Sequence, residues 1–165
     1  MIIGIKDIEY IIEAHSFHTT SSEKKSRKWD ANTPYSIHPI WCAMSILHET
    51  SLPISIRSKG FYVLGYHDIP EDTDAPLPEW LSSEIKKSIA DMTYSSSEDE
   101  WENLWKKDKE IRLFKIYDKT SNIMDGIWME PERKNLHLQH LAKLIIDVRK
   151  NYGELNITRM AKSLI

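Results

Sequence analysis

Cysteine is almost missing from this 165-residue chain: Cys42 stands alone, so no intrachain disulfide framework can hold the fold. That suits a reducing compartment, and a cytoplasmic location is expected. Glycine, at 5, and proline, at 7, are scarce, which leaves few of the breaks that separate short strands. No apolar run approaches the roughly 20 residues of a membrane-spanning helix. Asp7 and Glu9 interrupt the first ten residues, where a leader would be continuously apolar. Neither sign of charge dominates, since 22 Lys+Arg against 25 Asp+Glu leave a formal −3. No overall basic surface is therefore available to nucleic acid or acidic lipid, and neither is expected as a partner.

What is present is a globular balance, with 41% hydrophobic and 28% charged residues, in a length that suits one domain over residues 1–165. Apolar residues recur almost throughout at helical spacing. The pattern predicts helices over about 7–20, 38–50, 58–69, 79–92 and 132–151, with a further patterned stretch from Trp101 to Ile123. Asp7 is placed to cap the first helix, whose inward face would carry Ile8, Ile11, Ile12 and His15. The second would turn Ile40, Ala43, Met44 and Leu47 inward. Residues 21–36 and 71–78 read as loops, and 95–100 as a loop or helix cap. No alternating strand and no internal repeat is evident, so the fold class is all-α.

Side chains suited to metal or acid/base chemistry fall in four places: His38, His67-Asp68, Glu71-Asp72 and Asp118. Each sits within apolar sequence. His67 and Asp68 lie about 100° apart on a helix, so both can point into one cleft near its end. A histidine and an aspartate from neighbouring helices would complete an N/N/O/O ligand set, which suits a first-row transition metal without choosing among Mn, Fe, Co and Zn. Asp118, within FKIYDKTSNI, is the carboxylate that most needs a cation or donors, because its helical surroundings are apolar.

In this order, His…His-Asp…Asp resembles the signature of HD-domain metal phosphohydrolases. The segments TPYSIHP (33–39), YHDIPEDTD (66–74) and LFKIYDKTSNI (113–123) resemble those of the Rel/Spo alarmone hydrolases, whose patterns read approximately PYxxHP, LLHDxxEDT and KLADxxxN. The resemblance covers about residues 8–125 and is closest to the small stand-alone hydrolases, because the length leaves no room for a synthetase. It implies a single HD-type helical bundle that removes pyrophosphate from the 3′ position of guanosine tetra- and pentaphosphate. It further implies His38, His67, Asp68 and Asp118 as metal ligands, usually for Mn²⁺, with Glu71 and Asp72 orienting or deprotonating the attacking water. Arg27 and Lys28 match a basic pair that clamps phosphates, Asn122 matches a residue that contacts the nucleotide sugar, and Lys115 and Lys119 have family counterparts. Asp91-Met92 stands where the family has glycine-valine before Thr93. The partner so implied is a small phosphorylated nucleotide.

Two other readings stay open at this level: an HD phosphatase acting on deoxynucleotides or the 2′-phosphate of NADPH, and a non-catalytic nucleotide-binding HD domain. Outside the motifs, His15, His18, His137 and His140 are expected to be structural or solvated. Lys24 and Lys25 read as solvated, and Trp41, Cys42, Trp101 and Trp105 as packing residues.

Overall fold

In a computed structural model, residues 4–165 are described, so Met1–Ile3, part of the segment read as lacking a leader, lie outside them. Among the described residues the chain forms α-helices and short 3-10 turns, with no strand beyond two isolated bridges, and is all-α. The helices are α1 (Ile5–Phe17), α2 (Ile37–Leu47), α3 (Ile54–Tyr66), α4 (Ile69–Asp72), α5 (Ser83–Met92), α6 (Ser97–Asn103), α7 (Lys109–Met124), α8 (Pro131–Tyr152) and α9 (Asn156–Lys162). None of them is long and apolar enough to cross a membrane.

The centre of the bundle is α7, which packs against α2, α3, α5, α8 and α9. It buries Ile111, Leu113, Phe114, Ile116 and Tyr117, together with the polar Lys115, Asp118, Lys119, Thr120 and Ser121. A helix buried on nearly all sides must bring its polar groups into contact with partners, and this helix pairs Lys115 and Lys119 with acids, Ser121 with His38 and Thr120 with its own backbone.

Several local expectations shift. Asp7 does not cap α1: Gly4 occupies that position, and Asp7 sits one turn inside, accepting from Gly4 N at 3.1 Å. Its carboxylate is buried because Tyr66 Oη and Trp80 Nε1 also donate to it, at 2.9 and 3.1 Å. On α2 the inward face carries His38, Cys42, Ala43 and Ile46, while Met44 is 38% exposed. The helix is apolar on most sides, so periodicity alone does not fix the face it buries.

The third helix begins at Ile54, directly after Pro53, and ends at Tyr66. Pro70 does not terminate it. It lies in the first turn of α4, where its missing N–H costs no helical hydrogen bond. Residues 95–100 start α6, capped by the Ser96 hydroxyl accepting from Asp99 N at 3.2 Å. The patterned stretch after it breaks at Lys107, and Asp108 restarts the helix by accepting from Glu110 N at 2.9 Å. At the far end Gly153, at φ 79°, terminates α8 in a conformation that favours glycine. The pattern reading stopped there and did not anticipate α9.

Candidate metal centre

Three elements deliver the polar cluster. His38 comes from the first turn of α2, His67 and Asp68 from the junction of α3 and α4, and Asp118 from the middle of α7. His38 Nε2 lies 3.4 Å from Asp68 Oδ2 and 3.4 Å from Asp118 Oδ1. His67 Nε2 lies 3.1 Å from Asp68 Oδ1 and 3.8 Å from Asp118 Oδ1. One ligand atom from each of His38, His67 and Asp118 fits within a 4.8 Å span. All four side chains are buried.

The other ring nitrogens orient the imidazoles. His67 Nδ1 lies 2.7 Å from the Leu64 carbonyl, which can only accept, so this nitrogen carries the proton and Nε2 presents its lone pair. His38 Nδ1 lies 2.8 Å from Ser121 Oγ. Both Nε2 atoms are buried without a hydrogen-bond partner. Two imidazole lone pairs facing two carboxylates repel unless a positive charge sits among them. A divalent cation would satisfy that arrangement, and His38, His67 and Asp118 bring ligand atoms close enough to share one, with Asp68 beside them.

The electrostatics of the protein alone express the same demand. Burial opposes charge on His67, yet Asp68 and Asp118 outweigh it and push the pKa up to about 9. Burial dominates at His38 and lowers its pKa. Asp118 is buried too, but Lys119 and Lys115 hold its carboxyl well below the usual range. Tyr35, from the TPY segment, donates to Asp68 Oδ2 at 3.1 Å and stacks on His15 with ring centroids 5.1 Å apart. Sequence reasoning quoted Tyr35 only as part of a motif and gave Ser121 no role. The signal for Ser121 was its position three residues after Asp118, on the same helical face.

A polar cleft of about 270 Å³ opens beside the cluster, lined by Tyr35, Asp68, Glu71, Lys115, Asp118, Lys119 and Asn122, among others. Lys115 and Lys119 are not surface lysines with apolar stems. They are 4% and 9% exposed, and Lys115 Nζ lies 3.1 Å from Asp118 Oδ2. Asn122 donates to Asp118 Oδ1 at 2.6 Å. The acids of α4 part ways: Asp72 is ion-paired with Lys24, which also donates to the Glu71 carbonyl at 2.9 Å. Lys24 is therefore engaged rather than solvated, while Lys25 is exposed. Glu71 is exposed at the rim of the cleft, where partial desolvation by the surrounding walls and then the Asp68 charge raise its pKa to about 7.

A second pocket of about 250 Å³ shares Tyr35, Asp72 and Asn122 with the first and adds Arg27, Lys28, Asp125 and Trp128. Arg27 Nε pairs with Asp125 Oδ2 at 2.6 Å, and its terminal nitrogen donates to Asn122 Oδ1 at 3.3 Å. Lys28 Nζ lies 4.4 Å from the Trp128 ring centre. The residues singled out for metal, acid/base and phosphate roles thus lie around these two adjoining pockets. Glu100 joins them unforeseen, and His140, expected to be structural or solvated, packs against it.

Fold and side-chain arrangement together define an all-α bundle with a buried His, His-Asp, Asp cluster where α2, α7 and the turn after α3 meet. No family model matches the chain, and no curated protein does. Among solved structures it is similar to a metazoan ortholog of SpoT, described as hydrolysing ppGpp and playing a role in starvation responses. The two chains share 18% identity over 99% of this chain and 96% of that one, with a TM-score of 0.72. A likeness at that identity shows a shared fold.

Proposed function

We propose that this chain is a metal-dependent phosphohydrolase of the HD type, acting as one domain on guanosine tetra- or pentaphosphate and releasing pyrophosphate from the 3′ position. The observation that carries the reading is the pair of buried, unpartnered Nε2 atoms of His38 and His67 facing Asp68 and Asp118. The likeness in fold to a ppGpp-hydrolysing protein and the quoted motifs support the choice of substrate.

His38, His67, Asp68 and Asp118 would hold the ion, Mn²⁺ by resemblance, whose chemistry is to lower the pKa of water and offset charge on phosphate oxygens. Glu71 accepts the proton of the attacking water, since among the described residues its carboxyl forms no ion pair and its pKa is raised to about 7. Asp72, tied to Lys24, keeps the α4 backbone and Glu71 in place. Lys115 and Lys119 present positive charge at the cleft to phosphate oxygens. Arg27 and Lys28 serve the remaining phosphates from the adjoining pocket, and Asn122 contacts the sugar. Water attacks the phosphorus attached to the 3′ oxygen, and the bond between that phosphorus and the 3′ oxygen breaks. The 3′ oxygen leaves as the 3′-hydroxyl with the proton returned from Glu71, and pyrophosphate carrying the water oxygen is released.

The test is pyrophosphate release from guanosine tetraphosphate with Mn²⁺ by the purified chain and by Asp68→Ala. The expected outcome is release that the variant loses by at least about a hundredfold, in line with the loss of a ligand that supports activated water. Equal activity in the variant would remove the metal-site assignment. Inorganic phosphate as sole product would replace the substrate reading with a phosphatase. A chain that stays metal-free in excess Mn²⁺ would point to nucleotide binding without catalysis.

A further inference from the structure

Glu100 is 4% exposed and reaches from α6 across to α7. Its Oε2 lies 3.0 Å from Lys115 Nζ and 2.8 Å from Lys119 Nζ. The same two ammonium groups lie 3.1 and 3.6 Å from Asp118 Oδ2. Oε1 of Glu100 lies 3.5 Å from His140 Nε2 on α8, with no hydrogen bond. Behind it the Trp105 and His140 rings pack with centroids 5.7 Å apart. Two buried cations therefore face two buried carboxylates.

Asp118 belongs to two groups at once. Its Oδ1 faces His38 and His67, and its Oδ2 faces the lysines. An ammonium group that leans on Asp118 opposes a second cation at the same carboxylate, because like charges at this separation repel strongly in a desolvated site. Among the ion pairs of the described residues, Lys115 and Lys119 contact only Asp118 and Glu100. Without Glu100 both would be left to Asp118, and these three side chains would carry one unbalanced positive charge beside the place where a divalent ion has to bind.

We propose that Glu100 is a positioning residue for the metal centre: by sharing Lys115 and Lys119 with Asp118, it offsets their charge and keeps that carboxylate able to hold a divalent cation. The inference rests on the ligand assignment of the preceding section. Glu100 touches no reacting atom. It sets the charge balance around one that does.

The experiment is a calorimetric titration of the purified, metal-stripped chain with Mn²⁺, in the absence of nucleotide, alongside thermal melting followed by circular dichroism. Glu100→Gln should raise the Mn²⁺ Kd by about tenfold or more, the scale found when a partner of a metal ligand is removed. Adding Lys119→Met removes one ammonium along with the lost carboxylate, and the double variant should recover much of the affinity. A merely structural role predicts the reverse, since two altered buried groups would bind no better than one.

Should Glu100→Gln not fold, Lys119→Met alone decides. With Glu100 intact and one competitor gone, Mn²⁺ should bind more tightly, and an unchanged or weaker Kd would overturn the proposal. An unchanged Kd in Glu100→Gln, or no recovery in the double variant, would overturn it as well. Failure of the wild-type chain to bind Mn²⁺ would overturn the ligand assignment itself, so the two failures are distinguishable.

Discussion

Glu71 and Asp72 are neighbours in sequence with the same chemistry, and their surroundings separate them. Lys24 neutralises Asp72, whereas Glu71 is left facing the cleft with a pKa raised to about 7 by partial desolvation and by Asp68. A carboxylate balanced near neutral pH makes a better proton acceptor than one held by an ammonium. Glu71→Gln is therefore expected to lower the turnover number by about 10² or more while Mn²⁺ binding persists, measured by pyrophosphate release and by calorimetry. The pH profile follows from the sign of the shift. Below its pKa Glu71 is protonated and cannot accept, so activity should rise with pH through an acid limb. A bound divalent ion favours the carboxylate and moves that limb to or below about 7. Loss of the limb in Glu71→Gln, measured on whatever residual rate remains, assigns it to this residue; an identical limb in the variant would assign it elsewhere.

The helices show which parts of the site could be read in advance. His38, His67-Asp68 and Asp118 were legible because each is a polar residue inside an apolar helical pattern, in an order and with neighbours that resemble one family. The face that α2 buries was not legible. Ile37, Ile40, Trp41 and Met44 spread apolar surface around the helix, and the burial of His38 depends on Asp118 and Ser121 from a helix far away in sequence. Glu100 was hidden for a similar reason, since a carboxylate in the run SSSEDE reads as solvated until α7 and α8 are packed on it. Asp7 repeats the pattern: its local context suggests a cap, while its partners come from α3 and from the segment before α5. Asp7→Ala would leave the Tyr66 hydroxyl and Trp80 indole donors unpaired. At about 1–3 kcal/mol for the one fully buried donor, the Tyr66 hydroxyl, urea unfolding should show a loss of about 1–3 kcal/mol. Asp7→Asn retains an acceptor at Oδ1 and should lose much less; equal losses would mean that packing, not the hydrogen bonds, matters there.

At the scale of the whole molecule, the proposed metal centre depends on how closely three helices approach one another, because its proposed ligands come from α2, from the turn that follows α3 and from α7. Gly60 marks the point of contact. A Cβ built there would lie 2.4 Å from Ile46 Cδ1 on α2 and 3.0 Å from Phe114 Cε1 on α7, and both of those side chains are fully buried. Alanine is favoured over glycine within a helix by about 1 kcal/mol, so on propensity alone Gly60→Ala would stabilise α3. Overpacking a closed core costs about 1–3 kcal/mol, and an overlap as deep as this one belongs at the upper end, so the clash outweighs the propensity. Two readings should move together in Gly60→Ala: a lower urea midpoint and a higher Mn²⁺ Kd, since spreading α2 from α3 separates His38 from His67. Ile46→Val in the same chain removes the methyl group that the new Cβ meets, and it should restore both. If stability fell while Mn²⁺ affinity held, the site would be shown to tolerate movement of its helices, and the ligand geometry would have to be maintained by local contacts such as Tyr35–Asp68 and Ser121–His38 rather than by the packing of the bundle.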